Sequence, residues 1–421
     1  MRGFRVAWLA ATLGAGGAVA CVERAMAPGS CPSFCPSGSI TVVDTVLRTS
    51  ITRDSAFRGY VLANQAGAMV ATAAPGLDSR AILLTSTLTS PDTTTYRFLT
   101  SDSVKLTLII IRRDTSAHNL MLKLYQLPDT IDSTTTFADV AGAFGGAPLR
   151  TVNIDALLAK PGGIDSTTGD SIATDTTTHR LILKVKFDSL QVPYVAADSG
   201  KLGFGIRVSA TAPASVTFAT REDPTSGGAT VTWFMKVDSI KGKDTTLVRE
   251  RYPGRGTRFD SYVFDPPAAP LDSTLAVGGA PSARSILHVT LPRAIRDSSQ
   301  IIRGTLLLVP AVPARGASVD SFVLEAHTVL ADFGAKSPLV LDATRTDTTM
   351  IRVGATDTVR IEVTNLLQFW SADTTRPAVI LLRSQEEGAH PSDVRFYPSK
   401  AAAYRPSLRV TYAPRFPFGV P

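Results

Sequence analysis

The chain reads as a succession of short apolar runs separated by polar punctuation. Leu181-Ile-Leu-Lys-Val-Lys-Phe187 alternates apolar and polar residues with a period of two, the spacing that sends successive side chains to opposite faces of a strand. Thr41-Val-Val-Asp-Thr-Val-Leu47, residues 104–111 and Leu120-Met-Leu-Lys-Leu-Tyr-Gln-Leu127 are runs of the same kind. Each is short, rich in β-branched or large apolar residues, and bounded by Gly, Pro, Asp or Ser, which predicts strands. Helical periodicity is confined to residues 140–144 and 366–370. Many short strands with turns between them predict an all-β chain, here two tandem β-sandwich domains of jelly-roll-like form.

An internal repeat supports the tandem arrangement. Val359-Arg-Ile-Glu-Val-Thr364 echoes Leu181-Ile-Leu-Lys-Val-Lys186, and Val394-Arg-Phe396 echoes Val216-Thr-Phe218, both 178 residues apart. Val379-Ile-Leu-Leu-Arg-Ser384 echoes Gly203-Phe-Gly-Ile-Arg-Val208 more loosely. Arg284-Ser-Ile-Leu287 matches Arg80-Ala-Ile-Leu83, and Ile302-Arg-Gly-Thr-Leu-Leu-Leu308 matches Val104-Lys-Leu-Thr-Leu-Ile-Ile110. Asp260-Ser-Tyr-Val-Phe264 is set against Arg58-Gly-Tyr-Val-Leu62. The order of the pairs is preserved, and the spacing falls from 204 to 178. The first copy therefore holds extra residues in its middle. Asp132-Ser-Thr-Thr-Thr136, Asp165-Ser-Thr-Thr-Gly-Asp170 and Thr174-Asp-Thr-Thr-Thr178 are polar low-complexity tracts expected to be mobile surface loops. The expected boundaries are a first repeat at 40–240, a linker at 241–256, a second repeat at 257–413 and a tail at 414–421.

The N-terminus carries a processing signal. Arg2 and Arg5 precede an uncharged stretch, residues 6–20, too short and Gly-rich to span a bilayer. Ala18-Val19-Ala20 stands directly before Cys21. Residues 1–20 are read as a signal peptide and 21–39 as a tether rich in Pro, Gly and Ser. Small residues before a cysteine resemble the bacterial lipobox, which implies lipidation of Cys21 and anchoring to a membrane. Val22 favours the outer membrane, and ordinary cleavage with secretion is the alternative. Cys31 and Cys35 could close a small disulfide loop in an oxidising compartment. A metal site would need more ligands nearby, and a redox pair usually has two intervening residues rather than three.

The formal net charge is +7, and Arg2 and Arg5 leave with the signal. The densest basic run is Arg249, Arg251, Arg255 and Arg258, interrupted by Glu250 and punctuated by Pro253, Gly254 and Gly256. It reads as a solvated linker, with a contact to anionic lipid headgroups or acidic polysaccharide as the sharper alternative. The compartment and the absence of a basic stripe disfavour nucleic acid.

No catalytic motif is present. His118, His179, His288, His327 and His390 show no metal-binding spacing. His288 and His327 flank apolar strands, as structural histidines do. No Gly-x-Ser-x-Gly elbow occurs. The acidic pairs Glu222-Asp223 and Glu386-Glu387 lie in polar contexts and read as solvated turns, because glycosidase carboxylates are defined by their separation in space. No cofactor is implied. The Asp-rich tracts leave calcium open, since they lack the EF-hand order. Trp233 and Trp370 read as core residues rather than sugar platforms.

The second copy resembles the DNRLRE domain family of extracellular β-sandwich modules. The resemblance rests on Asp260-Ser-Tyr-Val-Phe264, Leu275-Ala-Val-Gly-Gly279, Arg284-Ser-Ile-Leu287 and Ile302-Arg-Gly-Thr-Leu-Leu-Leu308. It closes on Val394-Arg-Phe-Tyr-Pro-Ser-Lys400 and Arg405-Pro-Ser-Leu-Arg-Val-Thr-Tyr412. The first copy resembles the family only through its likeness to the second, and the string that names the family does not occur. The resemblance implies an extracellular module and a glycan as a candidate ligand, with no binding residues carried over. The resulting expectation is a lipid-anchored envelope protein with a binding or structural role. A β-sandwich polysaccharide lyase or hydrolase, and an accessory subunit of an envelope complex, remain as rivals.

Overall fold

The computed structural model describes residues 41–88, 92–239, 247–265, 273–317, 321–332 and 340–415. The signal peptide, the tether and Cys21, Cys31 and Cys35 lie outside the described residues.

The chain is all-β. It opens with β1 (Val43–Leu47) and β2 (Ile51–Arg58), followed by β3 (Ala68–Ala73), β4 (Ser79–Thr85), β5 (Tyr96–Arg113) and β6 (Met121–Leu127). Helix α1 (Phe137–Gly145), β7 (Arg150–Asn153), helix α2 (Ile154–Ala159) and β8 (Ser171–Thr174) come next. β9 (Leu181–Asp188), β10 (Gly203–Ser209), β11 (Ala214–Ala219), β12 (Thr230–Ser239) and β13 (Leu247–Phe264) complete the first half. The second half runs through β14 (Leu275–Gly278), β15 (Ala283–Val289), helix α3 (Arg293–Arg296), β16 (Ser299–Leu308) and β17 (Arg315–Gly316). It ends with β18 (Ser321–Ala331), β19 (Val340–Arg352), β20 (Val359–Glu362), helix α4 (Thr364–Ala372), β21 (Val379–Ser384), β22 (Ser392–Phe396) and β23 (Ser407–Pro414). The two stretches with helical periodicity form α1 and α4, burying Val140 and Phe144 in one and Leu366, Leu367 and Trp370 in the other.

Strands β3 to β13 form one eleven-stranded sheet, and the other strands form a four-stranded and an eight-stranded sheet. Strict alternation explains the cores. In β9, Leu183, Val185 and Phe187 are buried while Lys184 and Lys186 are exposed. The first core joins these residues to Leu106, Leu108, Phe204 and Trp233. The second core draws Leu306, Leu408 and Val410 from the four-stranded sheet and Leu287, Leu324 and Phe396 from the eight-stranded one. Two sheets therefore close on one interior.

Strand registers bear out the later pairs of the internal repeat. Ile110 lies opposite Leu181, and Leu308 lies opposite Val359. Ile206 faces Ala81 as Leu382 faces Ser285. Val216 faces Ala71 as Val394 faces Val277.

The first strand pair of the repeat is corrected. Asp260 faces Leu83, and the residue in the matching place opposite Leu287 is Asp54. The match thus falls at Asp54, four residues before Arg58, where the sequence comparison set it. The strands have also changed places. β1 pairs with β23 and β2 with β15, so residues expected in the first repeat complete the second core. β13 pairs with β12 and β4, so residues expected in the linker and the second repeat complete the first. The described part of the expected linker is strand, with the Arg249 to Arg258 run lying along it. Sequence likeness identifies a strand, but ladder hydrogen bonds decide which sheet receives it.

The polar tracts are also ordered locally. The Asp132 carboxylate accepts hydrogen bonds from the Thr134 N–H (2.8 Å) and Oγ1 (2.7 Å). Asp165 accepts from the N–H of Thr167 (2.9 Å), and Asp175 from those of Thr177 (2.8 Å) and Thr178 (2.9 Å). Thr136 and Asp139 form a capping box that starts α1. Asp342 and Asp373 use Thr344 and Thr375 in the same way. The recurring Asp-x-Thr is an Asx turn, whose carboxylate replaces a backbone turn bond without needing a core.

Two expectations follow. Deleting residues 41–58 removes Ile51 from the second core and leaves β15 and β23 without a partner on one edge. Amide hydrogen exchange should then show loss of protection in β16 and β23 while β5 and β9 stay protected; unchanged protection in β23 contradicts the exchange of strands. Hydrogen bonds from Thr344, joined by Arg345, hold the Asp342 carboxyl far below its unfolded value of 3.8. A depressed folded value gives stability that is complete above 3.8 and lost as pH falls through the folded value. Acid denaturation of Asp342→Ala should therefore show a shallower pH dependence below 3.8 than the parent chain.

Candidate functional site

The outward face of the four-stranded sheet forms a groove of about 580 Å³, within the usual range of roughly 300–1,000 Å³ for ligand sites. Its strand order is β1-β23-β16-β20. Because Leu306, Leu308, Ile361, Leu408 and Val410 point inward, the alternate positions supply the outer lining. Arg303, Thr305 and Leu307 come from β16, Arg360 and Glu362 from β20, and Arg409 and Thr411 from β23, while Thr348 of β19 borders them.

Two ion pairs organise this lining. The Arg409 guanidinium grips Asp44 through Nη2 (2.6 Å) and Nε (3.0 Å), and its hydrogen bond is the main force holding the Asp44 carboxyl below its ordinary value. Arg303 Nε donates to Glu362 Oε2 at 2.9 Å. Burial works against the Glu362 carboxylate, but hydrogen bonds from Thr364 and Arg303 outweigh it and keep its pKa low. Arg360 is exposed and makes no ion pair among the described residues. The groove thus offers one uncommitted guanidinium on the edge strand β20, beside two compensated arginines on β16 and β23, with threonine hydroxyls near them. A planar guanidinium suits a carboxylate, which it can bind through two parallel hydrogen bonds.

Other residues singled out in the sequence have different roles. Trp233 and Trp370 are each 2% exposed, so neither offers a stacking platform. His327 is buried and lies 2.8 Å from the Glu325 carboxylate, which Arg383 also holds. Among the described residues no three His, Cys, Asp or Glu side chains gather to hold a metal ion. Within the basic run, Arg249 and Arg251 stand opposite Lys236 and Phe234 in the ladder.

The acidic pairs depart from the expectation of solvated turns. Asp223 is buried and pairs with Arg180 at 2.8 Å. Glu387 receives Arg284 Nη2 at 2.6 Å and Nε at 2.8 and 2.9 Å, plus the Ser282 hydroxyl at 2.9 Å. The Tyr60 ring covers the Arg284 guanidinium at 3.4 Å. Its neighbour Glu386 reaches across to Arg112 of the first half at 2.6 Å. Tyr262 donates to the Gly388 carbonyl at 3.1 Å, and its phenol is pushed up by burial, with the Glu387 charge adding to the effect. Through Glu386 and Gly388 this loop fastens the halves together, while Glu387 and Asp223 are each held by an arginine within their own half.

The groove arginines escaped the sequence reading because they are far apart in the chain and sit inside strings that read as core strands. Their signal was the alternation itself: Arg303, Thr305 and Leu307 occupy the polar phase of β16.

No protein family and no curated protein matches this chain. Among solved structures, the chain is similar to the C-terminal domain of the Streptococcus agalactiae AgI/II polypeptide BspA, at 7% identity and a TM-score of 0.14. That similarity covers 80% of this chain and 90% of the other, and at such a score it carries no argument.

Replacing Arg284 with alanine leaves the Glu387 charge buried without its main partner. The expected loss is about 3–5 kcal/mol of unfolding free energy, read by urea denaturation. A loss below about 1 kcal/mol would match an exposed pair instead.

Proposed function

We propose that this chain is an exported, non-catalytic envelope protein whose groove binds a carboxylate-bearing polysaccharide. The observation that carries this reading is Arg360, which makes no ion pair among the described residues of a groove otherwise balanced by Arg303–Glu362 and Arg409–Asp44. Hydroxyls of Thr305, Thr348 and Thr411 supply the donors and acceptors a sugar ring uses. Anchoring through Cys21, delivery to the outer membrane and a pair of jelly-roll sandwiches of the DNRLRE kind belong to the same reading, on the strength of the N-terminal signal, the repeat and the closing strands.

The test is binding of the full chain carrying Cys21→Ser to acidic and neutral polysaccharides at low and high salt. Binding should favour the acidic polymers and weaken with salt, because exposed charges are screened beyond about 10 Å at 0.1 M. Arg360→Ala should weaken binding about tenfold or more, the range of a lost charge-assisted hydrogen bond. Equal affinity for neutral polymers, or an Arg360→Ala variant that binds like the parent, removes the groove from consideration.

A further inference from the structure

Aspartate in this chain is followed by a hydroxyl residue far more often than composition predicts. Ser and Thr together make up a fifth of the chain, yet they follow 22 of its 29 aspartates. They precede only five of them, close to the number chance gives, and they follow none of the seven glutamates. The bias therefore has a direction and requires the shorter acid. Turn chemistry does not account for it. An Asx turn needs the aspartate and the N–H two residues on, and the residue between them is free to vary. Asp342-Ala343-Thr344 and Asp223-Pro224-Thr225 make the turn with no hydroxyl in the middle, at 2.9 and 2.7 Å. The pair also occurs in strands, at Asp44-Thr45 in β1, Asp54-Ser55 in β2, Asp102-Ser103 in β5 and Asp260-Ser261 in β13. A two-residue string that persists in turn and strand alike is set by something that reads the chain rather than by its fold.

Where the pair lies in a turn, the structure presents the hydroxyl. Asp114, Asp132, Asp165, Asp175 and Asp373 each accept from the N–H two residues on, at 2.8–3.0 Å. The intervening Thr115, Ser133, Ser166, Thr176 and Thr374 are all exposed and make no hydrogen bond among the described residues. Each is a nucleophilic oxygen in the middle of a pinned turn and open to solvent. Ser79, Ser103 and Ser261 follow aspartates too, but they are 1%, 3% and 7% exposed, which leaves no room for a group added to their oxygens.

We propose that the exposed hydroxyls are acceptors for a glycosyl group, transferred by an enzyme that recognises Asp-Ser and Asp-Thr. The hydroxyl oxygen bonds to the anomeric carbon of a sugar phosphate donor, nucleotide- or lipid-linked. The bond from that carbon to the phosphate oxygen breaks, the phosphate leaves with the bonding pair, and the hydroxyl proton passes to a base of the transferase. Charge disfavours a phosphoryl group at the same oxygen, because it sets about −1.5 to −2 beside the aspartate carboxylate. A neutral sugar adds only bulk, directed into water. None of the groove residues takes part.

The test is to purify the full chain from its own host and map its peptides by mass spectrometry, with fragmentation that keeps sugars attached. Thr115, Ser133, Ser166, Thr176 and Thr374 should carry sugar mass, and Ser79, Ser103 and Ser261 should not. Asp132→Asn keeps an oxygen for the Thr134 N–H but removes the charge, and it should clear Ser133 while the other sites stay occupied. Ala343→Ser completes the pair in a turn that already exists at an exposed position, and it should gain sugar at 343. Four results overturn the proposal: bare hydroxyls at all five turns, sugar on Ser133 that survives Asp132→Asn, no sugar at 343 in the Ala343→Ser chain, or added mass that a phosphatase removes.

Discussion

Each half of the protein is closed by a strand that carries an aspartate into the same hydrogen bond. Asp260 accepts from the Arg221 N–H at 3.1 Å and from the Thr257 hydroxyl at 2.6 Å. In the other half Asp54 accepts from the Ser399 N–H. Arg221 and Ser399 stand at equivalent places after β11 and β22. The closing strand thus reaches beyond its ladder partner, β4 or β15, to the loop that follows the next hairpin. Burial raises the Asp260 pKa, aided by the Glu222 charge, against the pull of these hydrogen bonds. A carboxylate taken that far from water is tolerable only where donors meet it, so this lock fixes strand position as well as strand presence.

Much of the fold was legible in the chain, and the failures share one cause. Period-two alternation identified strands such as β6 and β9, and the short helical patterns marked α1 and α4. The repeat predicted which strands correspond, and the ladders agree residue by residue from β4 onward. Which sheet receives the closing strand was not legible. Asp54-Ser55 and Asp260-Ser261 are short, similar strings, and nothing within them records whether β4 or β15 lies alongside. The same limit hid the side chains that line the groove. Arg303, Arg360 and Arg409 meet only because three strands lie side by side, and Lys105 meets Lys186 for the same reason. Hydrophobic content likewise misjudged the aspartate tracts, because their order comes from local hydrogen bonds rather than from a core.

The halves differ in the chemistry of their outward faces. Lys105 and Arg303 occupy matching places in β5 and β16, opposite Thr232 and Thr411, and both are basic. Around Arg303 the sheet supplies Glu362 and, on the next strand pair, Asp44, so positive charge is largely compensated. Beside Lys105 the neighbouring strand carries Lys186 directly opposite and Lys184 two residues along. Inward positions cannot drift so freely, because a buried charge without a partner costs several kcal/mol. The shared scaffold therefore constrains the interior and leaves the two faces free to acquire different chemistry.

The exchange of closing strands also sets a timetable. Asp44 and Arg409, which pair across β1 and β23, are 365 residues apart. At a synthesis rate of about 5–20 residues per second, the interval between their emergence is on the order of tens of seconds. The first half can close as soon as β13 follows β12, whereas β2 must wait for β15 and β1 for β23, nearly the whole chain. During that interval an edge strand with unsatisfied backbone groups is exposed to other chains. A circularly permuted chain that started at residue 273, joined the old ends and finished at residue 264 would make each core from contiguous sequence and remove the wait.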